Sequence, residues 1–197
     1  VVELSGTLRS VAVSLAKIAN DLRWLASGPR TGIAEIKLPA LQPGSSIMPG
    51  KVNPVIPEAV IQVAAQVVGN DVAITLCGLG GTFELNTMMP LMAHDALFST
   101  ETLGAAAGIF SSRCVEGIEA DAGRAAELLA RSLVTVTALV PGLGYDLAAD
   151  IAKEAIATGK APRDVVAARG LLSEAELDAV FDVRRMTEGG LGTGGGE

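Results

Sequence analysis

The chain has 197 residues, 49% of them hydrophobic but only 3% aromatic, and a net charge of −7. That length holds one large or two modest domains. The scarcity of aromatics and turn signals argues against a β-sandwich, and with no Lys/Arg run a nucleic-acid partner is not expected.

A mean hydropathy of +0.44 demands extensive burial, which helices rich in Ala, Val and Leu achieve by packing on one another and on further copies of the chain. In the first helix, Leu4, Leu8, Val11, Leu15, Ile18, Leu22 and Leu25 fall at alternating steps of four and three, the heptad seam of a bundle helix. Gly28 and Pro29 are its expected stop, with glycine at the C-cap. Val1 is already in the helical pattern and nothing caps it, so the chain is expected to be part of something longer. Pro39, Pro43, Pro49 and Pro54, with Gly32, Gly44 and Gly50, then exclude helix up to residue 54. A loop of this length inside a compact domain is most often functional.

Helix resumes over residues 57–76, apolar around most of its circumference and therefore expected inside a bundle. Gly69 is a candidate for a close helix crossing there. Glu58, Gln62, Gln66, Asn70 and Asp71 punctuate the run 55–75 at a spacing that argues against a membrane span. The protein is therefore expected to be soluble and cytoplasmic. A third long helix is predicted over 88–112, with Pro90 near its start. From Cys114 the helices become short and individually capped: 121–130, 146–158 closed by Gly159, 162–169 closed by Gly170, and one opening on a Ser173/Glu176 capping box. The expected fold is all-α. Residues 1–113 form part of a long-helix bundle, 114–188 a small helical domain, and 189–197 a disordered glycine-rich tail. Cys77 and Cys114 stand far apart, in no metal spacing, and read as two reduced, buried thiols. No ligand cluster is visible, so neither a metal nor another cofactor is expected.

The stretch "PGSSIMPGKVNP", residues 43–54, is the chemically rich part of the loop. Its glycines free the backbone to aim N–H groups and to move. Lys51 adds a cation and Asn53 a neutral donor, together able to hold an anion near Ser45 and Ser46. The order of residues excludes a P-loop. On pattern alone, an anion-handling loop and an ordinary connection between helices both remain open.

"GSSIMPGKVNP" resembles the signature loop of the fumarase/aspartase superfamily, G-S-S-x-M-P-x-K-x-N. "VELSGTLRSVAVSLAKIANDLRWLASGPRTGIAEIKLP" resembles the family's preceding helix and loop, "QVAAQVVGND" and "GTFELN" its next helix and turn, and "LVTVTALVPGLGYDLAADIAKEA" its C-terminal domain. The resemblance implies a lyase that releases fumarate from a four-carbon dicarboxylate. Ser45 then matches the serine that removes the Cβ proton, Lys51 and Asn53 the residues that grip substrate carboxylate, and Glu58 the carboxylate that pairs with an active-site histidine. Ser46 would line the same site, and the loop would be a mobile lid carrying the base. The sole histidine, His94, does not match the family's catalytic position and is expected to be structural or superficial. The resemblance also implies a homotetramer whose sites combine three chains, and this stretch alone is expected to be inactive. "KVNPVIPEAVIQV" and the C-terminal helices favour an aspartate ammonia-lyase; "GTFELN" and "GLGYD" favour the alternative, a class II fumarase. A non-catalytic structural protein that keeps the lyase fold is the reading of a different kind.

Overall fold

The computed structural model describes residues 1–42, 47–48 and 50–188; the tail expected to be disordered, 189–197, lies outside them. The chain divides into two compact units, Val1–Asp121 and Ala122–Glu197. This division falls eight residues after the one expected from sequence, because residues 114–121 belong to the first unit by strand pairing.

Three long helices make the first unit: α1 (Val2–Leu25), α2 (Val55–Leu79) and α3 (Met89–Arg113). The middle helix, α2, packs along both of the others, which touch each other over a shorter stretch. Half of the expected seam of α1 holds and the other half is shifted by one residue. Its buried positions are Ser5, Ala12 and Ala19, flanked by Leu8, Leu15 and Leu22, which pack on the core. The cause is size: a small residue at every seventh position lets the backbone of α2 approach closely. The other half of the expected seam stays outside, with Leu4 53%, Val11 47% and Ile18 49% exposed. Two apolar clusters fill the interior. Ala12, Ala64, Val67 and Leu103 form one, and Ala19, Val60, Phe110 and Cys114 the other.

Two further expectations need correction. Gly69 faces open space, with no neighbour within 4 Å of a Cβ built there; the close crossing is at Gly78, whose Cβ would lie 2.9 Å from Val2 Cγ2. The C-cap of α1 is Ala26, with right-handed dihedrals, rather than Gly28. By length and composition α2 is apolar enough to cross a membrane, so its polar residues do not exclude a span as their spacing suggested. Of those side chains, Gln66, Asn70 and Asp71 bond to others in the bundle. Asp71 Oδ1 accepts from Ser5 Oγ at 2.7 Å and Asp71 Oδ2 from Arg9 Nη1 at 2.9 Å, while Asn70 Nδ2 donates to Ser99 Oγ at 3.0 Å. Gln66 Nε2 in turn donates to Asn70 Oδ1 at 2.8 Å.

The connection between α1 and α2 contains a strand, β1 (Ile36–Lys37), paired antiparallel with β2 (Glu119–Ala120), Ile36 opposite Ala120 and Lys37 opposite Glu119. Two-residue strands carry too little periodicity to be read from sequence.

The second unit comprises α4 (Ala122–Ala130), a 3₁₀ segment Leu133–Leu139, α5 (Val140–Leu143), α6 (Tyr145–Thr158), α7 (Pro162–Ala168), α8 (Glu174–Val180) and α9 (Val183–Thr187). Gly159 and Gly170 close α6 and α7 with φ of 69° and 62°, the left-handed region where a glycine stop is free of strain. The run "LVTVTALV" alternates β-branched residues that disfavour helix, yet it turns tightly, with Ser132 Oγ accepting from Val134 N–H at 3.3 Å. Leu139, Ile151, Val165, Val166 and Leu177 are almost wholly buried around one core; each contributes about 1.5–3 kcal/mol.

Candidate active site

The loop leaving α1 is tied down in steps. Ser27 Oγ donates to Trp24 O at 2.6 Å and accepts from Ile33 N–H at 3.2 Å. Glu35 N–H donates to Leu25 O at 3.0 Å, and Asp121 N–H donates to Glu35 O at 2.8 Å. Lys37 Nζ lies 3.3 Å from a carboxylate oxygen of Asp121. Gly117 is required where the chain returns, since a Cβ there would lie 2.5 Å from Pro39 Cγ. The first arm of the loop, to about residue 39, is thus bound to the segment 117–121 that follows α3.

The far arm leads into α2. Ser45 and Ser46 lie outside the described residues. Lys51 N–H donates to Met48 O at 3.1 Å, closing a turn in which Gly50 takes φ 79°, the value that glycine adopts at the third position of such a turn without cost. Lys51 is exposed and Asn53 half-buried; neither side chain forms an ion pair or hydrogen bond among the described residues. Val55 N–H donates to Asn53 O at 2.9 Å, and Glu58 N–H donates to Pro54 O at 3.1 Å as the first helical bond of α2. Among the described residues no side chain caps that helix start. Of its first turn only Ile56 has an N–H left over, because Pro54 and Pro57 carry none and Val55 N–H is taken by Asn53 O; what the helix start sets beside Lys51 and Asn53 is the positive end of its dipole. Glu58 sits in the first turn, where a carboxylate is also favoured.

Glu58 has a partner in this chain that sequence reasoning missed. Arg23 Nη2, from the last turn of α1, lies 3.6 Å from Glu58 Oε1, and both side chains are partly exposed. Arg23 Nη1 donates to Asn20 Oδ1 at 3.4 Å. Arg23 Nε is buried and has no hydrogen-bond partner among the described residues. A basic residue in the last turn of a helix was the only available signal, and it reads as ordinary dipole compensation. The pair spans 35 residues, too far for any local pattern.

The histidine expected as Glu58's partner is not supplied here. His94, in α3, is 73% exposed, with Nδ1 3.0 Å from Asp95 Oδ1 and its ring stacked on Phe98 at 6.2 Å, which fits a superficial role. Cys77 and Cys114 are free and buried, and burial pushes the Cys114 thiol up. Among the described residues no three His, Cys, Asp or Glu side chains are placed to hold a metal ion. A cleft of about 380 Å³ lies between the starts of α1 and α3 and the end of α2, with Val2, Glu3, Cys77, Asn86 and Met92 among its lining. Cys77 is 19 residues beyond Glu58, about 28 Å along the helix, so the cleft is not part of the loop site.

Residues 1–69 match the family described as Lyase, and residues 135–188 match the family described as Fumarase C C-terminus. The chain is 52% identical over 191 residues to a protein named fumarate hydratase class II from Mycobacterium tuberculosis, covering 95% of this chain and 40% of that protein. It is 50% identical over 182 residues to a protein named aspartate ammonia-lyase from Pseudomonas canavaninivorans, covering 92% of this chain and 38% of the relative. A crystal structure of a fumarate lyase:delta crystallin from Brucella melitensis, bound to cobalt, superimposes with a TM-score of 0.89 at 49% identity, over 95% of this chain and 41% of that one. The chain thus spans about two fifths of the length of these relatives.

Proposed function

Because the chain belongs to the fumarase/aspartase superfamily, we propose that the protein it forms part of is a C4-dicarboxylate lyase that releases fumarate. The observation that carries this reading is the stretch 44–58. It sets a serine pair, Lys51 and Asn53 directly before the uncapped start of α2, with Glu58 in the first helical turn. Removal of a Cβ proton leaves an electron pair that spreads into the adjacent carboxylate. A doubly charged aci-carboxylate is stable only beside cations and aimed donors. Lys51 and Asn53 are of that kind, and Ser45 takes the role of base. The electron pair then forms the C=C bond as the group on Cα departs with its own bonding pair, which is protonated on leaving. Ser46 lines the site, and closure of the loop keeps water out.

L-aspartate, with ammonia leaving, is the substrate favoured by the residues that start α2 and by the C-terminal helices. The second reading, malate with water leaving, draws on "GTFELN" and on relatives named class II fumarase. The protein acts as a cytoplasmic homotetramer, its sites complete only where chains meet. The exposed stripe of Leu4, Val11 and Ile18 on α1 supports that association.

The test uses the full-length protein carrying this sequence. Fumarate is followed by its ultraviolet absorbance with L-aspartate and with L-malate, for wild type and Ser45→Ala. The expected result is fumarate from aspartate, with kcat reduced at least about 1000-fold by the substitution. Fumarate from malate alone selects the hydratase. Silence on both substrates from a folded oligomer overturns the reading in favour of a non-catalytic structural protein. The 197-residue stretch alone is expected to give no turnover.

A further inference from the structure

Building on that functional reading, we propose that Arg23 is the positioning residue for Glu58, gripping its carboxylate along one edge of the guanidinium. The Nε and Nη2 hydrogens of an arginine point the same way along one edge of its plane, the fork that takes a carboxylate through two parallel bonds. Here Nη2 already lies 3.6 Å from Glu58 Oε1, a few tenths of an ångström beyond a hydrogen bond. Nε, the other tooth of the same fork, is buried without an acceptor among the described residues. A charged donor shut away from water without a partner is unfavourable. The acceptor that would relieve it is the carboxylate already beside its neighbour. The remaining tooth, Nη1, is used elsewhere, on Asn20.

The location gives the pair its consequence. Arg23 closes α1 and Glu58 opens α2, so the contact joins the two ends of the segment that carries Ser45, Lys51 and Asn53. Moving the first turn of α2 moves Glu58 and the helix N-terminus together, and displacements of about 1 Å at such a site cost large factors in rate. A lysine at position 23 keeps the charge but lacks the fork.

The test uses the full-length protein and the fumarate assay, with R23M, R23K, E58Q and R23M/E58Q. Positioning through Glu58 predicts that R23M lowers kcat about tenfold with KM changed less than about twofold, and that R23K falls between R23M and wild type. In the E58Q background, R23M is expected to change kcat by less than about twofold. A kcat for R23M within about twofold of wild type, a rise in KM alone, or an undiminished loss on top of E58Q overturns the proposal. Should R23M fail to assemble, R23K carries the test, and wild-type kcat in R23K overturns it. A wild-type protein silent on both dicarboxylates overturns the functional reading itself, and this proposal falls with it.

Discussion

Glu176 couples the stability of the second unit to pH through one exposed carboxylate. Its Oε2 accepts from Ser173 Oγ and from Ser173 N–H, both at 2.7 Å, while its own N–H reaches Ser173 Oγ at 3.4 Å. These bonds, the side-chain one foremost, hold its carboxyl below the ordinary value of 4.5. A lowered folded-state value means that the stabilisation is complete above the ordinary carboxylate range and is lost as pH falls through the lowered value. E176Q is therefore expected to melt below wild type at neutral pH, and the gap is expected to close as pH drops below 4.5. Thermal unfolding followed by circular dichroism across pH 3–7, a range of about four units, measures both. This box was legible in the sequence because it is complete within four residues. The Arg23–Glu58 contact was not, because only the path of the intervening loop brings the last turn of α1 to the first turn of α2. Ser45 and Ser46 were legible as residue types, and they lie outside the described residues.

Element boundaries along the long helices were legible to within three residues, since prolines and glycines mark them. The inward face of α1 was not. Leucine spacing identifies a seam of period seven but does not say which of two adjacent stripes turns inward. That choice depended on Ser5, Ala12 and Ala19, whose small side chains carry little hydrophobic signal. The loop arm was read as irregular, yet it is held by β1 and β2 and by the contact of Pro39 on Gly117. G117A is expected to destabilise the first unit by about 1–3 kcal/mol, because the added methyl meets a rigid ring that has little room to give. Chemical denaturation is the measurement, and an unchanged midpoint would show that the arm is not seated there.

At the largest scale, these 197 residues leave a great deal of apolar surface uncovered. Along α2, Val72, Leu76 and Leu79 are 56%, 59% and 77% exposed, in line with Gly69 at steps of three and four. Together with Leu4, Val11 and Ile18 on α1, they form the apolar stripes on which the proposed association of copies would rest. I18E is expected to shift the full-length protein to a smaller species in sedimentation while its helical circular dichroism stays intact. A mass unchanged by I18E would place the contact elsewhere. High mean hydropathy with few aromatics signalled the uncovered apolar surface from composition alone, because the interior of these 197 residues is too small to hide so many aliphatic side chains.

The polar layer of the bundle solves a problem that its apolar seam creates. On α1, Ser5, Ala12 and Ala19 repeat every seven residues, and so do Leu8, Leu15 and Leu22. To greasy packing alone, α1 advanced by one heptad along α2 looks almost the same as α1 in place. Asp71 breaks the degeneracy. In the native alignment it meets a hydroxyl and a guanidinium; one heptad along, it would face Ala12 and strand a charge against methyl groups. The layer works like the notch of a key, fixing the axial register in which α1 delivers Arg23 to Glu58 rather than a full turn or two beyond it.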